Sequence, residues 1–294
     1  MSKRILTIIN PASGKEYPIL SPLNRYFNKA GWKWDLVVTQ KENPIKAQIK
    51  RYDLNKYDYI VTYGGDGTII ETASILANTK HIMFPLQGGT ANFIANELKI
   101  PSNPEQALNQ LITNKLTQTA INTGYANSAF FLTGLIIGPL AQINTKTNRQ
   151  LKNHGGIFAY LQTLMSELPQ VKPSQYIIKY RNQSQTTQAI GILVLNGNIS
   201  LFPNIQISSQ TNYSSHNLVA ASIPAPSIAS ITQSLFSLIQ SQNLDHAMQN
   251  WVAPTIIIEA ASQFDVMAGD KTFKTQQLVI KNLQKSLNIL IPNI

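Results

Sequence analysis

The stretch from residue 59 to residue 76 leaves this chain few ways to fold. Tyr59-Ile60-Val61 is a short apolar run that reads as a buried strand. Gly64, Gly65 and Gly67 follow around one carboxylate, Asp66, and apolar residues then recur at helical spacing from Ile69 to Leu76. The pattern is strand, glycine turn, helix. Glycine permits positive φ and lets a backbone come close to a ligand. Backbone N–H groups at such a turn, beside a helix N-terminus, suit phosphate oxygens. Asp66 and Thr68 add a carboxylate and a hydroxyl where a Mg²⁺-phosphate would sit. The same residues also serve as a tight turn with no ligand, and glycine spacing alone does not choose between the two. No Gly-Lys-Ser/Thr follows and the spacing is not GxGxxG, which excludes a P-loop and the dinucleotide fingerprint.

The surrounding sequence supplies the context. Strands are predicted over 4–9, 34–39, 59–62 and 82–86, and helices over 20–30, 44–52, 68–77, 92–98 and 104–113. Leu20, Leu23 and Phe27 form the inward stripe of the first helix. Such alternation predicts a parallel, Rossmann-like sheet covered on both faces. In open sheets of this kind ligands bind beyond the carboxyl ends of the strands. Glycine loops after Ile9, Val61 and Leu86 all start there, so all three can converge on one site.

Near residue 120 the texture changes to short alternating segments rich in Thr, Ser, Asn and Gln, at 118–125, 130–137, 176–181, 187–195, 204–207, 217–223, 254–259, 263–267 and 277–281. Their spacing predicts a mostly antiparallel β-sandwich. Helices are predicted over 157–168 and 226–240. Two domains are expected: 1–120, an α/β domain that carries the glycine loops, and 121–294, a β-rich domain.

At 294 residues with no cysteine, the chain has neither disulfides nor a thiol nucleophile. His81, His154, His216 and His246 stand singly, none at metal-ligand spacing. The net charge of +10 is shared evenly between 1–125 and 126–294, with no basic tail or aromatic-basic stripe. Nucleic-acid binding is therefore disfavoured, and nucleotide phosphates or an anionic lipid surface match better. Lys146, Arg149 and Lys152 lie at helical spacing, either as a solvated face or as a basic patch toward phosphate or headgroups. The opening apolar run is too short for a signal peptide, and no segment is long enough to span a bilayer. A cytoplasmic protein, peripheral to membranes at most, is expected.

Gly64-Gly65-Asp66-Gly67-Thr68, with Glu71 three residues on, resembles the signature of the diacylglycerol kinase catalytic-domain family, which includes bacterial lipid kinases and sphingosine kinases and has NAD kinases as distant relatives. Asn10-Pro11-Ala12-Ser13-Gly14-Lys15 resembles its first glycine turn, Thr39 its phosphate-side threonine, and Gly89-Thr90-Ala91-Asn92 its second nucleotide loop. The resemblance covers residues 4–101. It implies ATP and Mg²⁺ as cofactors, a lipid alcohol of the diacylglycerol type as substrate, a nucleotide-binding domain over 1–120, and a lipid-substrate domain over 121–294 whose last segment, about 286–294, returns to the first. It also implies nucleotide contacts from Asn10, Pro11, Ser13, Gly14, Thr39, Gly64, Gly65, Asp66, Gly67, Thr68, Glu71, Gly89, Thr90 and Asn92. Contact with an anionic membrane and a homodimer are left open.

The chain also departs from that pattern. Phe93 stands where the family carries an aspartate after the loop asparagine, and Gln87 and Gly88 are two extra residues before Gly89. Pro139-Leu140-Ala141 lacks the usual acidic residue. Ser215-His216 matches the family's Asp-Gly pair at a structural Mg²⁺ site, so no metal ligands are expected in the second lobe. The family's general base falls on Ala268, with Asp270 two residues on. Asp270 is then either a substitute base or a turn acceptor, with Asp66 the first-lobe candidate. Two alternatives to a lipid kinase remain: a catalytically degraded nucleotide- or lipid-binding module, and an NAD-kinase-like enzyme.

Overall fold

The computed structural model describes residues 2–14, 16–40, 42–90, 92–141, 172–196, 200–202, 205–206, 215–223, 249–269 and 271–293. The predicted helices over 157–168 and 226–240, the Lys146/Arg149/Lys152 run, Ala91 and Asp270 lie outside these residues. The chain divides into two compact units, Met1–Thr123 with Gln284–Ile294, and Gly124–Leu283.

In the first unit, strands β1 (Arg4–Ile9), β2 (Lys33–Val38), β3 (Tyr59–Gly64) and β4 (Ile82–Gln87) alternate with helices α1 (Leu20–Lys29), α2 (Ile45–Ile49), α3 (Asp66–Leu76), α4 (Phe93–Glu97) and α5 (Pro104–Ile112). The strands pair in parallel in the order β2-β1-β3-β4. Near the chain end, Asn288 and Ile289 pair in parallel with Ile82 and Met83. Five of six residues are buried in each of β1, β3 and β4. That explains their near-continuous apolar sequence, since a parallel strand covered on both faces has no polar side. The inward stripe of α1 differs from the expectation. Leu20 is 50% exposed, and Ile19, one residue before the helix, takes the buried place. Ile19, Leu23 and Phe27 are four residues apart and stack along one face. At α5, Asn103 accepts from the Glu105 N–H at 2.9 Å and Pro104 opens the helix, a strong N-terminal stop.

One feature of the strand order positions the site. β1 lies between β2 and β3, so the connection after β1 leads to one side of it and β3, whose own connection leads on to β4, lies on the other. This reversal is the topological switch point at which open α/β sheets leave a crevice.

The second unit is antiparallel. β5 (Leu116–Ala126) brings the chain into it and turns back as β6 (Ala129–Phe131). Next come β7 (Gly134–Ile137), β8 (Ser174–Tyr180), β9 (Gln183–Ala189), β10 (Gly191–Leu195), β11 (Ser200–Phe202), β12 (Ile205–Gln206), β13 (Leu218–Ile223), β14 (Asn250–Ala253), β15 (Thr255–Ala268) and β16 (Lys271–Pro292). β14, β13, β10, β7 and β15 pair in that order. The first half of β15 pairs instead with β8, and a register shift between Glu259 and Phe264 separates the halves. This irregularity lets one strand serve two sheet arms. Trp251 of β14, 1% exposed, donates from Nε1 to Gln185 Oε1 of β9 at 2.9 Å, and Tyr176, Ile178 and Ala189 share its core. The β8–β9 arm therefore packs over β13–β14 as a sandwich.

The fold class is the one read from the sequence, but the strand boundaries differ. The run 130–137 is split into β6 and β7, and 187–195 into β9 and β10. The segments 254–259 and 263–267 are one strand. Alternation within a run does not reveal which partner each half pairs with. The β8–β9 turn has Arg181 and Asn182 at φ 44° and 61°, the paired left-handed residues of a tight hairpin. Among the described residues, no helix is long and apolar enough to cross a membrane.

Candidate functional site

The candidate site is built from three loops at the carboxyl ends of β1, β3 and β4. The first begins at Asn10. Its N–H donates to Tyr63 O at 2.9 Å, its Oδ1 accepts from the Ala12 N–H at 3.0 Å, and Ser13 Oγ donates to its carbonyl at 2.7 Å. Its Nδ2 donates to Thr68 Oγ1 at 2.9 Å, tying this turn to the first turn of α3. The second loop is very short: β3 ends at Gly64, Gly65 is extended, and α3 starts at Asp66. In the third, the Gly88 N–H donates to Gly64 O at 2.9 Å. Asn92, at φ 50°, closes a ring with Gly89, accepting from its N–H at 2.8 Å and donating to its carbonyl at 2.7 Å.

Glycine is required here by close approach more than by φ. A Cβ on Gly14, which is at φ 70°, would lie 2.1 Å from Gly88 O, and one on Gly89 would lie 2.5 Å from Gly65 Cα. The loops thus touch backbone to backbone. One on Gly64 would strike the Thr68 side chain at 2.6 Å, whereas one on Gly67 would meet nothing within 4 Å. Gly67 is exposed in the first turn of α3, where N–H groups have no carbonyl within the helix.

Asp66 has a definite structural task. Its Oδ1 accepts from the Ile94 N–H at 2.9 Å and its Oδ2 from the Phe93 N–H at 3.1 Å, capping α4. Burial pushes its carboxyl above the ordinary range, against the Ile94 and Phe93 N–H groups, which pull it down. Glu71 Oε1 accepts from the Ile45 N–H at 2.6 Å and so braces α3 against α2. Thr39 directly follows β2, half-buried, with its N–H on Ile9 O at 2.8 Å. Pro11 and Thr90 are exposed. All the nucleotide residues named from the sequence therefore belong to, or directly brace, one set of loops in the first unit.

Sequence reasoning missed Gln87. It is the last residue of β4, 7% exposed, and its Nε2 donates to Asn96 Oδ1 at 2.8 Å and Ile100 O at 2.7 Å. The two residues that looked like an insertion are packed: a Cβ on Gly88 would lie 2.9 Å from the Tyr63 ring. No local signal marks this, because the partners come from other segments.

In the second unit, Ala268 ends β15 at 1% exposure and Lys271 opens β16. Asp265, its side chain 13% exposed, lies 3.8 Å from Lys274 Nζ. Among the described residues, no three His, Asp or Glu side chains cluster as a metal site.

A parallel sheet with glycine loops meeting at its switch point defines an open, doubly covered α/β unit with a crevice at the carboxyl ends of its strands. Residues 4–123 match the model of the diacylglycerol kinase catalytic domain. Over these residues the chain resembles the diacylglycerol kinase catalytic-domain family. It is 30% identical over 200 residues to a protein named diacylglycerol kinase from Staphylococcus haemolyticus, covering 66% of this chain and 59% of the relative. It is 31% identical over 186 residues to one from Staphylococcus aureus, covering 61% and 58%. The matched stretch spans about three fifths of these relatives' length. A crystal structure of a diacylglycerol kinase from Bacillus anthracis str. Sterne superposes with a TM-score of 0.76 at 20% identity, covering 99% of this chain and 97% of that one. Another from the same strain gives 0.80 at 20% identity, covering 99% and 95%. At such identities these structures establish the shared fold.

Proposed function

We propose that this chain is an ATP-dependent kinase that phosphorylates a lipid alcohol of the diacylglycerol type. The observation that carries this reading is the backbone-to-backbone meeting of three glycine loops at the switch point. It leaves N–H groups of the first turn of α3 and an open face at Gly67, with Asn10 bonded to Thr68 in that turn and Ser13 near Gly65. Such a surface cradles a triphosphate. The Asp66 carboxylate accepts from the N–H groups of Phe93, Ile94 and Asp66 itself, and its remaining lone pair would be the one to face a nucleotide-borne Mg²⁺. When bound, that ion neutralises charge on the phosphates. The residues of this chain orient the nucleotide and receive a proton. The lipid hydroxyl oxygen forms the new bond to the γ-phosphorus, the bond to the bridging oxygen breaks, and the hydroxyl proton passes to a carboxylate. Asp270 is assigned that role, with Asp66 and Asp265 the other candidates.

A second reading, a nucleotide- or lipid-binding module without turnover, is favoured by one observation: the residue ending β15 at the resembled base position is a buried alanine, Ala268. Labelled ATP with mixed lipid extract separates the two. Turnover in the wild type that falls about 10²-fold in Asp270→Asn supports the kinase reading. Absence of turnover together with a nucleotide-dependent rise in melting temperature supports the module. Absence of both removes the nucleotide site itself.

A further inference from the structure

In the second unit, one side-chain amide holds three distant segments together. Asn282 Nδ2 donates to Asn196 Oδ1 at 3.2 Å, just past the end of β10, and to the Ser215 carbonyl at 3.1 Å, in the turn before β13. Its own N–H donates to Pro254 O at 2.9 Å, between β14 and β15. Asn196 is 1% exposed, and its orientation is set by backbone: its Nδ2 donates to Leu132 O at 3.0 Å and its N–H to Thr133 O at 2.7 Å. Ser215 Oγ in turn accepts from the Asn217 N–H at 3.2 Å.

The chemistry of this point follows in steps. A backbone carbonyl accepts and cannot donate. Leu132 O therefore fixes Asn196 with Nδ2 toward that carbonyl and Oδ1 toward Asn282. Two oxygens, Asn196 Oδ1 and Ser215 O, then converge on one position. Only a donor or a cation satisfies that position. The Asn282 amide fills it at hydrogen-bond distance with Nδ2, leaving its Oδ1 buried and, among the described residues, without a partner. A hard divalent cation here would want oxygens at about 2.1–2.4 Å and at least one carboxylate. The converging oxygens are neutral, and residue 215, where the resembled family carries an aspartate, is serine. The donor set does not fit Mg²⁺.

We infer that the side-chain amide of Asn282 stands where a divalent cation would otherwise tie the end of β10, the turn before β13 and β16 together, so that the second unit folds without a structural metal. This does not depend on the proposed activity.

Thermal melting of the full chain, without nucleotide, tests it. The wild type should melt at the same temperature in millimolar EDTA, Mg²⁺ or Ca²⁺. Asn282→Asp replaces both donors with a carboxylate facing two oxygens. It should lower Tm by roughly 4–10 °C in EDTA, and Mg²⁺ or Ca²⁺ should restore much of that loss. A wild type whose Tm falls in EDTA and recovers with either cation would overturn the inference, because the amide must then turn its Oδ1 to a bound ion. An Asn282→Asp protein that no cation restores, or one as stable as wild type in EDTA, overturns the reading of this point as a cation position. If Asn282→Asp fails to fold, elemental analysis of the wild type decides. Metal-free folded protein upholds the inference, and one equivalent of divalent metal surviving desalting refutes it.

Discussion

Gly67 offers a direct way to separate a ligand cradle from a mere turn. It lies in the first turn of α3, exposed, with no positive φ, and a Cβ there would touch nothing within 4 Å. On folding grounds alone, alanine should be the better residue. It lowers the entropy of the unfolded chain and raises helix propensity, which together contribute about 0.4–1 kcal/mol. For a chain of this size that is a Tm rise of roughly 1–4 °C. If phosphate oxygens approach the open face, however, the added methyl intrudes on them and blocks the first-turn N–H groups. Gly67→Ala should therefore be more stable than wild type without ligand, yet lose most of the ATP-Mg²⁺-induced Tm shift. Differential scanning fluorimetry with and without nucleotide reads both effects. A variant that is more stable and keeps the full nucleotide shift would refute the reasoning, since the glycine would then serve no ligand at this face. Gly64→Ala is the contrasting control, because its Cβ would strike Thr68 and should destabilise the fold in either case.

Acid titration should show two aspartates of the first unit acting with opposite sign. Tyr57 and Arg4 hold the Asp35 carboxyl below its ordinary range, so its contribution is present above the unfolded pKa and is lost as pH falls through the folded one. The Asp66 carboxyl is raised by burial, so its contribution is full below the unfolded pKa and is lost as pH rises through the folded one. Stability curves of Asp35→Asn and Asp66→Asn, each subtracted from wild type between acid and neutral pH, should slope in opposite directions; parallel slopes would contradict the assignment. Gln87→Leu should lower stability by about 1–3 kcal/mol in urea, because it takes the side-chain amide donor away from the buried Ile100 carbonyl. If the chain is the binding module, Ala268→Asp should create or raise phosphoryl transfer, at a cost in stability because the site is 1% exposed. Unchanged activity in a folded Ala268→Asp protein would count against a base at that position.

What the amino-acid sequence determined by itself was local. The apolar runs at 4–9 and 59–62 announce strands buried on both faces, because no polar residue alternates within them. Alternation past residue 120 announces antiparallel pairing, because one face of each strand meets a core and the other meets water. These patterns depend on side-chain period, and neighbours a few residues apart set it. Only the tertiary structure decided what the glycines and carboxylates are for locally. Asn10 meets Thr68 58 residues on, Asp66 caps a helix 27 residues away, and Glu71 caps one 26 residues back. Each carboxylate or amide has several backbone groups it can satisfy, and periodicity carries no information about which one the fold brings near. The same holds for Leu20, displaced from the core by its neighbour Ile19, and for β15, one strand with two sets of partners. Pairing at long separation is chosen by the packing of the whole unit, where burial of Trp251, Tyr176 and Phe264 outweighs the preference of any single segment.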